Sequence, residues 1–374
     1  QLMRLRPSEP QDQRFLIVEV DAASSEALQQ DMVEGRYQPG IGTIPDKALD
    51  EVLAILSAHQ PRLIGLDFYR DFQAQPELAE RFRQTQNLIA LCKASYDGGR
   101  GYYPPQDVPM ERIGFNDVSE DGEMMVRRHL LLQEPDPEFC NTEEALNLVL
   151  ARKYLEAEGI SYTSPLNGEG YYVRDMQFGE TAIPQLLGNG SPYQNINDQL
   201  NGYQTLLNYR AHQGDPNKFA PTVSLEDVLN GKVSAADIQD RIVIIGYTDL
   251  ADKSADLWNT PYGNMPGVMV QAQMASQIIS AVLDERPLIW WLPLWGETLW
   301  IFGWSTIGGL VIWFCSRSLT RGAAGAVGTV VSLYGVCYLI LVSQSGWVPL
   351  VPPAIAIVVT GGGVGYLTYR RRQT

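Results

Sequence analysis

Histidine and cysteine are scarce in this chain, which carries three of the first and four of the second in 374 residues. With only His59, His129 and His212 a histidine-rich metal site is excluded, and His59, just before Pro61, reads as a solvated residue at a helix end. The sequence also lacks HExxH, CxxC, GxSxG, a GxxxxGKS phosphate loop and a GxGxxG after a strand. Zinc peptidases, thiol oxidoreductases, serine hydrolases, P-loop enzymes and dinucleotide-binding enzymes all lose their signatures. Basic residues are short as well: 28 Lys and Arg stand against 43 Asp and Glu, a net charge of -15 that makes nucleic acid a poor partner. Disorder and collagen-like structure are excluded in turn, because 45% of the residues are hydrophobic and the 34 glycines follow no repeat.

Charge itself is missing from the C-terminal end. The 19 residues between Glu297 and Arg317 and the 48 between Arg321 and Arg370 carry none. About 20 apolar residues cross a bilayer as a helix, so the first stretch is one span and the second is long enough to fold back once. Ser343 to Gly346 is the natural turn, and Pro349, Pro352 and Pro353 suit the start of a helix. The sequence therefore predicts three transmembrane helices at about 294–314, 323–342 and 349–369 in a tail that starts at residue 287.

Arg317, Arg321 and Arg370 to Arg372 fall at one end of such a bundle, which the positive-inside rule assigns to the cytoplasm. The first 292 residues, with a net charge of -19, then lie outside it. Seven of the eight tryptophans fall at or after Trp290, and Trp290, Trp291, Trp295 and Trp347 are expected to anchor the outer interface. No ionisable residue lies deep within a span, which disfavours a pump or ion carrier. Residues 1–13 read as a linker from an upstream segment, either a cleaved signal or a further helix.

Residues 14–286 alternate strand and helix. Arg14 to Val20, Arg62 to Leu66, Asn87 to Cys92 and Arg241 to Gly246 are branched, apolar strands. Helices are predicted from Pro45 with Leu49, Val52, Leu53 and Leu56 on one face, at Pro76 to Thr85, from an Asn141 cap to Gly159, at Ser224 to Leu229 and at about 267–283. Met124 to Gln133 reads as a long strand, and 161–203 as an irregular excursion. Near-continuous apolar strands between helices indicate an α/β fold, a mostly parallel sheet with helices on both faces.

Cys315 and Cys337 belong to the spans as packing residues, whereas Cys92 and Cys140 are either a disulfide or two buried thiols. Polar residues gather where strands end: Asp21, Asp67 with Tyr69 and Arg70, Asn208 and Arg210, and Tyr247. Ligands of open α/β sheets bind beyond the carboxyl ends of the strands, so these residues are the candidate pocket. Capping of turns and structural pairing of the arginines is the competing use. Asp249, Asp252 and Asp256 would share a helical face able to hold calcium, with a solvated acidic loop as the alternative.

The segments FLIVEVD (15–21), RLIGLDFYRD (62–71), NLIALC (87–92), GFNDVSEDGEMMVRRHLL (114–131), TLLNYR (205–210), VSLEDVLNGKV (223–233), DRIVIIGYT (240–248) and TPYGNMPGVMVQAQMASQIIS (260–280), followed by three spans, resemble the type-two CHASE domain. That name abbreviates cyclase and histidine-kinase associated sensory extracellular. The resemblance implies an extracytoplasmic sensor joined through membrane helices to a cytoplasmic kinase, cyclase or other output. The opening QLMRLRPSEP and the tail are most similar to cyanobacterial chains in which a caspase-like CHAT peptidase precedes the sensor, which implies a plasma (inner) or thylakoid membrane. Two departures from the commoner family pattern are read: an output domain is not seen within these residues after the third span, and the first loop, Ala22 to Gly42, lacks the family's Asp-rich turn. The expected function is a sensor that binds a small ligand or a periplasmic partner protein, without a cofactor or catalytic metal. A structural or regulatory subunit of a membrane complex, and an outer-face hydrolase using Asp21 and Asp67 around a metal, are the alternatives. Gly322 to Gly328 and the Gly361–Gly365 pair serve either intrachain packing or a homodimer.

Overall fold

The computed structural model describes residues 2–38, 44–96, 99–167, 170–190, 193–194, 201–249, 256–315 and 318–370. Two compact units emerge, one of residues 7–185 and 201–286, the other of residues 1–6, 186–200 and 287–374. In chain order the first unit holds β1 (Phe15–Val20), α1 (Ala22–Val33), α2 (Asp46–Ala58), β2 (Leu63–Asp67), α3 (Pro76–Gln84), β3 (Leu88–Cys92), β4 (Ile113–Phe115), β5 (Arg128–Leu132), α4 (Leu146–Ala157), β6 (Tyr162–Thr163), β7 (Met176–Phe178) and β8 (Thr181–Ile183). After β9 (Asn189–Gly190) and β10 (Tyr193–Gln194) of the second unit, it resumes with β11 (Tyr203–Leu206), β12 (Thr222–Ser224), α5 (Leu225–Leu229), α6 (Ala235–Ile238), β13 (Ile242–Tyr247), β14 (Leu257–Thr260), β15 (Gly263–Pro266) and α7 (Gly267–Leu283).

Six strands form one parallel sheet in the order β12-β1-β13-β2-β3-β4. Their apolar runs are the reason: all five residues of β2 and of β3, and the first five of β13, are buried, as strands covered on both faces must be. Helices α4 and α7 pack on each other and reach β1, β2, β3 and β13, while α2 packs with α3 and α5, and α1 and α5 reach β1. Gly246 permits the closest of these approaches, since a Cβ there would stand 2.6 Å from the Val268 side chain of α7. Residues 7–13 are held by the domain: Glu9 N donates to Ala211 O at 2.8 Å and Asp12 N to Phe219 O at 2.6 Å.

Three local expectations are corrected. Residues 22–33 form a helix rather than a loop, one whose apolar face is reduced to Leu28. The helix expected from Asn141 begins at Leu146, because the backbone before it is taken by neighbouring strands: Gln133 N donates to Glu143 O at 3.1 Å, Phe115 N to Glu144 O at 3.0 Å and Ala145 N to Leu131 O at 3.0 Å. The strand expected over 124–133 shortens to β5, which pairs antiparallel with β11 outside the main sheet. The excursion at 161–203 holds the small antiparallel sheet β6-β7-β8.

In the second unit β16 (Trp290–Trp291), α8 (Leu294–Cys315), α9 (Leu319–Gln344), β17 (Gly346–Trp347) and α10 (Val351–Arg370) follow one another. The three helices are long and apolar enough to cross a membrane. The turn after α9 falls where expected, with Ser345 in the left-handed conformation. Parallel pairing of Trp290 with Gly346 and of Trp291 with Trp347 gathers those tryptophans at one end. Trp300 Nε1 donates to Pro349 O at 2.9 Å, and Ser305 Oγ lies 2.9 Å from Thr360 Oγ1, so α8 and α10 are joined along their length. Arg317, Arg371 and Arg372 lie outside the described residues.

Candidate ligand site at the carboxyl edge of the sheet

A parallel sheet places every strand end on one edge, and β1, β13 and β2 bring Asp21, Tyr247 and Asp67 there. Asp21 is already occupied: its carboxylate accepts the Ser24 amide at 2.8 Å and caps α1. Tyr247 meets Phe68 edge to face, with ring centroids 6.2 Å apart. Arg70 is buried and turned toward α2, where it pairs with Asp46, donates to Ile44 O at 3.1 Å and lies over the Phe72 ring.

Asn208 and Arg210 do not join this group. They follow β11, which belongs to the separate β5-β11 pair, and their backbone is clasped by glutamines of α7. Asn208 N donates to Gln277 Oε1 at 2.5 Å and Arg210 N to Gln273 Oε1 at 2.9 Å. The Arg210 guanidinium donates to Ser280 Oγ at 2.8 Å and to Pro10 O at 3.1 Å, beside the start of β1 rather than its end. The strand-end residues thus divide between the two edges of the sheet.

Asp67 is the chemically distinctive member. It is 8% exposed, and among the described residues its Oδ1 has no hydrogen-bond partner. Burial, reinforced by the charge of Asp256 and partly offset by the Asn116 side chain, pushes its carboxyl up to about 8. Tyr69 Oη donates to Asn116 Oδ1 at 2.8 Å, and its ring stacks on Tyr102 at 4.2 Å. Asp256 precedes β14. Its carbonyl accepts Gly267 N at 2.8 Å, and its Oδ2 fills the space of a Cβ at Gly267, only 1.9 Å away, so a side chain at 267 would expel it. Burial also raises the Asp256 carboxyl, against the charge of Lys93. Asp117, likewise raised by burial, accepts Ala94 N at 3.2 Å and Gln133 Nε2 at 3.1 Å.

Asn116, Lys93 and Tyr102 were not singled out in the sequence. Asn116 follows β4, a three-residue strand too short to carry a periodic signal, and Tyr102 lies in a loop that reaches Lys93 through paired backbone bonds of 3.0 Å. Behind the site a buried polar chain runs inward: Gln271 Nε2 donates to Asn116 O at 3.2 Å, Asn147 Nδ2 to Gln271 Oε1 at 2.7 Å, and Asn147 Oδ1 meets His129 Nε2 at 2.6 Å. Asp252 lies outside the described residues, and among those described no group of three or more His, Cys, Asp or Glu is set to hold a metal ion. What the edge offers is a buried acceptor of one hydrogen-bond donor, under the charge of a second carboxylate and beside the Tyr69 ring.

No curated protein and no solved structure matches the chain. The family model described as CHASE2 domain matches residues 1–310, and with three helices able to cross a membrane the chain belongs to the CHASE2 family as a membrane-associated sensor.

Proposed function

We propose that the α/β domain senses a ligand outside the cytoplasm at its carboxyl edge and passes its state through α7 to the apolar helices and a cytoplasmic output, a kinase, cyclase or caspase-like peptidase. The observation that carries this reading is the placement of α7. Its first residue is bonded to Asp256 beside the site, and its end, at Asp284, is ion-paired with Arg14 just before the chain enters residues 287 onward. A 17-residue helix spans about 25 Å, so one rigid element reaches from the ligand edge to the opposite end of the domain, where the chain leaves it. A ligand with different affinity for two positions of α7 would bias them, and a few kcal/mol suffices. The positive-inside pattern and the Cys92–Cys140 disulfide both favour an oxidising, external location. An outer-face hydrolase finds less support, since Asp21 is spent on its cap.

The test is accessibility in intact cells. Val33 is 88% exposed, and Val33→Cys is expected to react with a membrane-impermeant maleimide without lysis. Labelling only after lysis would place the domain in the cytosol and end the reading. Compounds that raise the melting temperature of the wild-type chain are expected to lose that effect in Asp67→Asn.

A further inference from the structure

We propose that the ligand group seated at the carboxyl edge is a protonated primary amine, held by Asp67 and Asp256 beside the Tyr69 ring. This rests on the reading of that edge as the sensor's ligand site, and it names the chemistry the site accepts.

The argument begins with Asp67. A buried carboxylate is costly unless a donor or cation meets it, and its Oδ1 is met by none among the described residues. Of the neighbouring cations Arg70 pairs with Asp46, Arg100 pairs with Asp71 at 3.6 Å and lies over the Tyr102 ring, and the charge of Lys93 acts on Asp256 and Asp117, which leaves Asp67 without one among the described residues. Asp256, whose charge acts directly on Asp67, makes the recess repel anions and favour a cation. A metal ion fits poorly, because no third His, Cys, Asp or Glu ligand stands with these two among the described residues. Between organic cations, guanidinium is committed to a planar two-pronged grip on one carboxylate. The compact ammonium, with three donors on one atom, suits a single open oxygen and a second carboxylate beside it. The Tyr69 ring, backed by Tyr102 and the Arg100 guanidinium that lies over it, adds an aromatic side, which attracts ammonium groups.

The protonation of Asp67 gives the seat a signature. Its carboxyl titrates at about 8, under the influence of Asp256 and with Tyr69, Asp117 and Lys93 around it. Below that pH an ammonium must displace the proton from Asp67, so affinity rises about tenfold per pH unit well below about 8, less steeply near it, and then levels until the amine itself deprotonates.

The experiment uses the full chain in detergent and ethylamine as probe, with ethanol and tetramethylammonium as controls, read by saturation-transfer NMR. Ethylamine is expected to bind about fivefold more weakly at pH 7 than at pH 8, because the Asp67 carboxyl is about half ionised at pH 8 and about one-tenth ionised at pH 7. It should lose at least tenfold in affinity in Asp67→Asn and several-fold in Tyr69→Leu, two variants that perturb folding differently, while ethanol and tetramethylammonium stay unbound. Equal binding of ethanol, or ethylamine binding unchanged in a folded Asp67→Asn, overturns the amine assignment. A non-amine compound whose binding is lost in Asp67→Asn would overturn the amine while leaving the ligand edge in place. Binding of every compound unaffected by Asp67→Asn would overturn both.

Discussion

Arg14 and Asp284 meet with Nη2 2.6 Å from Oδ2, joining the residue before β1 to the residue after α7 across most of the domain's sequence. Arg14 Nε also holds Asp12 at 2.7 Å, and Asp12 accepts Ser276 Oγ at 2.7 Å, while Arg286 Nε pairs with Glu9 at 2.7 Å. The two carboxylates on Arg14 differ in burial: the Asp12 side chain is 1% exposed and that of Asp284 49%. Asp12→Ala removes a buried carboxylate that holds Arg14 and accepts Ser276 Oγ, so it is expected to cost about 2–3 kcal/mol while Arg14 keeps Asp284, whereas the exposed Asp284→Asn should cost at most about 1 kcal/mol. Burial disfavours the charged form of Asp12, but hydrogen bonding and charge from Arg14, with Ser276, outweigh it and hold the carboxyl below its usual range. Its contribution is therefore present at neutral pH and lost as pH falls below that range. Thermal unfolding of both variants checks the ranking; equal losses would refute it.

Cys92, at the end of β3, is bonded to Cys140, 48 residues later, and both are fully buried. Closing a loop of that length restricts the unfolded chain by about 4 kcal/mol. The paired Cys92→Ala, Cys140→Ala variant is expected to lose roughly that much, and denaturant unfolding with and without reductant measures it. A loss below about 1 kcal/mol would show that the cross-link does little for this fold.

The parallel core was legible because four strands are apolar almost without interruption, Glu19 being the one charged residue inside them, and each is separated from the next by a helix or a polar loop. The three membrane helices were legible because charge is absent over long stretches. Short elements were not: β4 and β12 have three residues each, and α1 buries only Ser24 and Leu28. Of the candidate site, Asp67 could be found because it directly follows an apolar run. Asn208 and Arg210 could not be separated from it, since the sequence does not say that β11 joins a different sheet. Asn116 reaches Asp67, and Tyr102 reaches Tyr69, only through tertiary packing, which no local pattern encodes.

His129 is fully buried on β5, and burial, opposed by its contact with Asn147, pushes the imidazole down to about 4. An unfolded histidine titrates near 6.5, so the unfolded chain binds the extra proton between about pH 4 and 6.5 and stability rises with pH across that window, by on the order of 3 kcal/mol. Asp67 acts in the opposite sense. Its raised carboxyl keeps the proton longer in the folded chain, so its contribution falls from about pH 4 to about 8. Asp256 and Asp117, also raised by burial, slope the same way as Asp67, so Asp67→Asn removes one opposing contribution and the climb of melting temperature from pH 4 to about 6.5 should steepen. His129→Gln in the same background should abolish the climb, and a slope that survives there would assign it to another group.

In the apolar unit, Gly308 of α8 is where α10 approaches most closely, for a Cβ there would stand 2.9 Å from the Ile357 side chain and 3.2 Å from its Cα. A backbone atom at that distance cannot swing aside, so the helix must move. Gly303, on the same helix, has nothing within 4 Å of its would-be Cβ. Small residues let membrane helices pack, and overfilling such a contact costs about 1–3 kcal/mol. Gly308→Leu is therefore expected to part α8 from α10, and Gly303→Leu to leave them together. Ser305 and Thr360, 2.9 Å apart between side-chain oxygens, supply the gauge: in a Ser305→Cys, Thr360→Cys background a disulfide should form readily, persist with Gly303→Leu and fail with Gly308→Leu. Cross-linking that survives Gly308→Leu would mean the two helices are held by contacts other than this one.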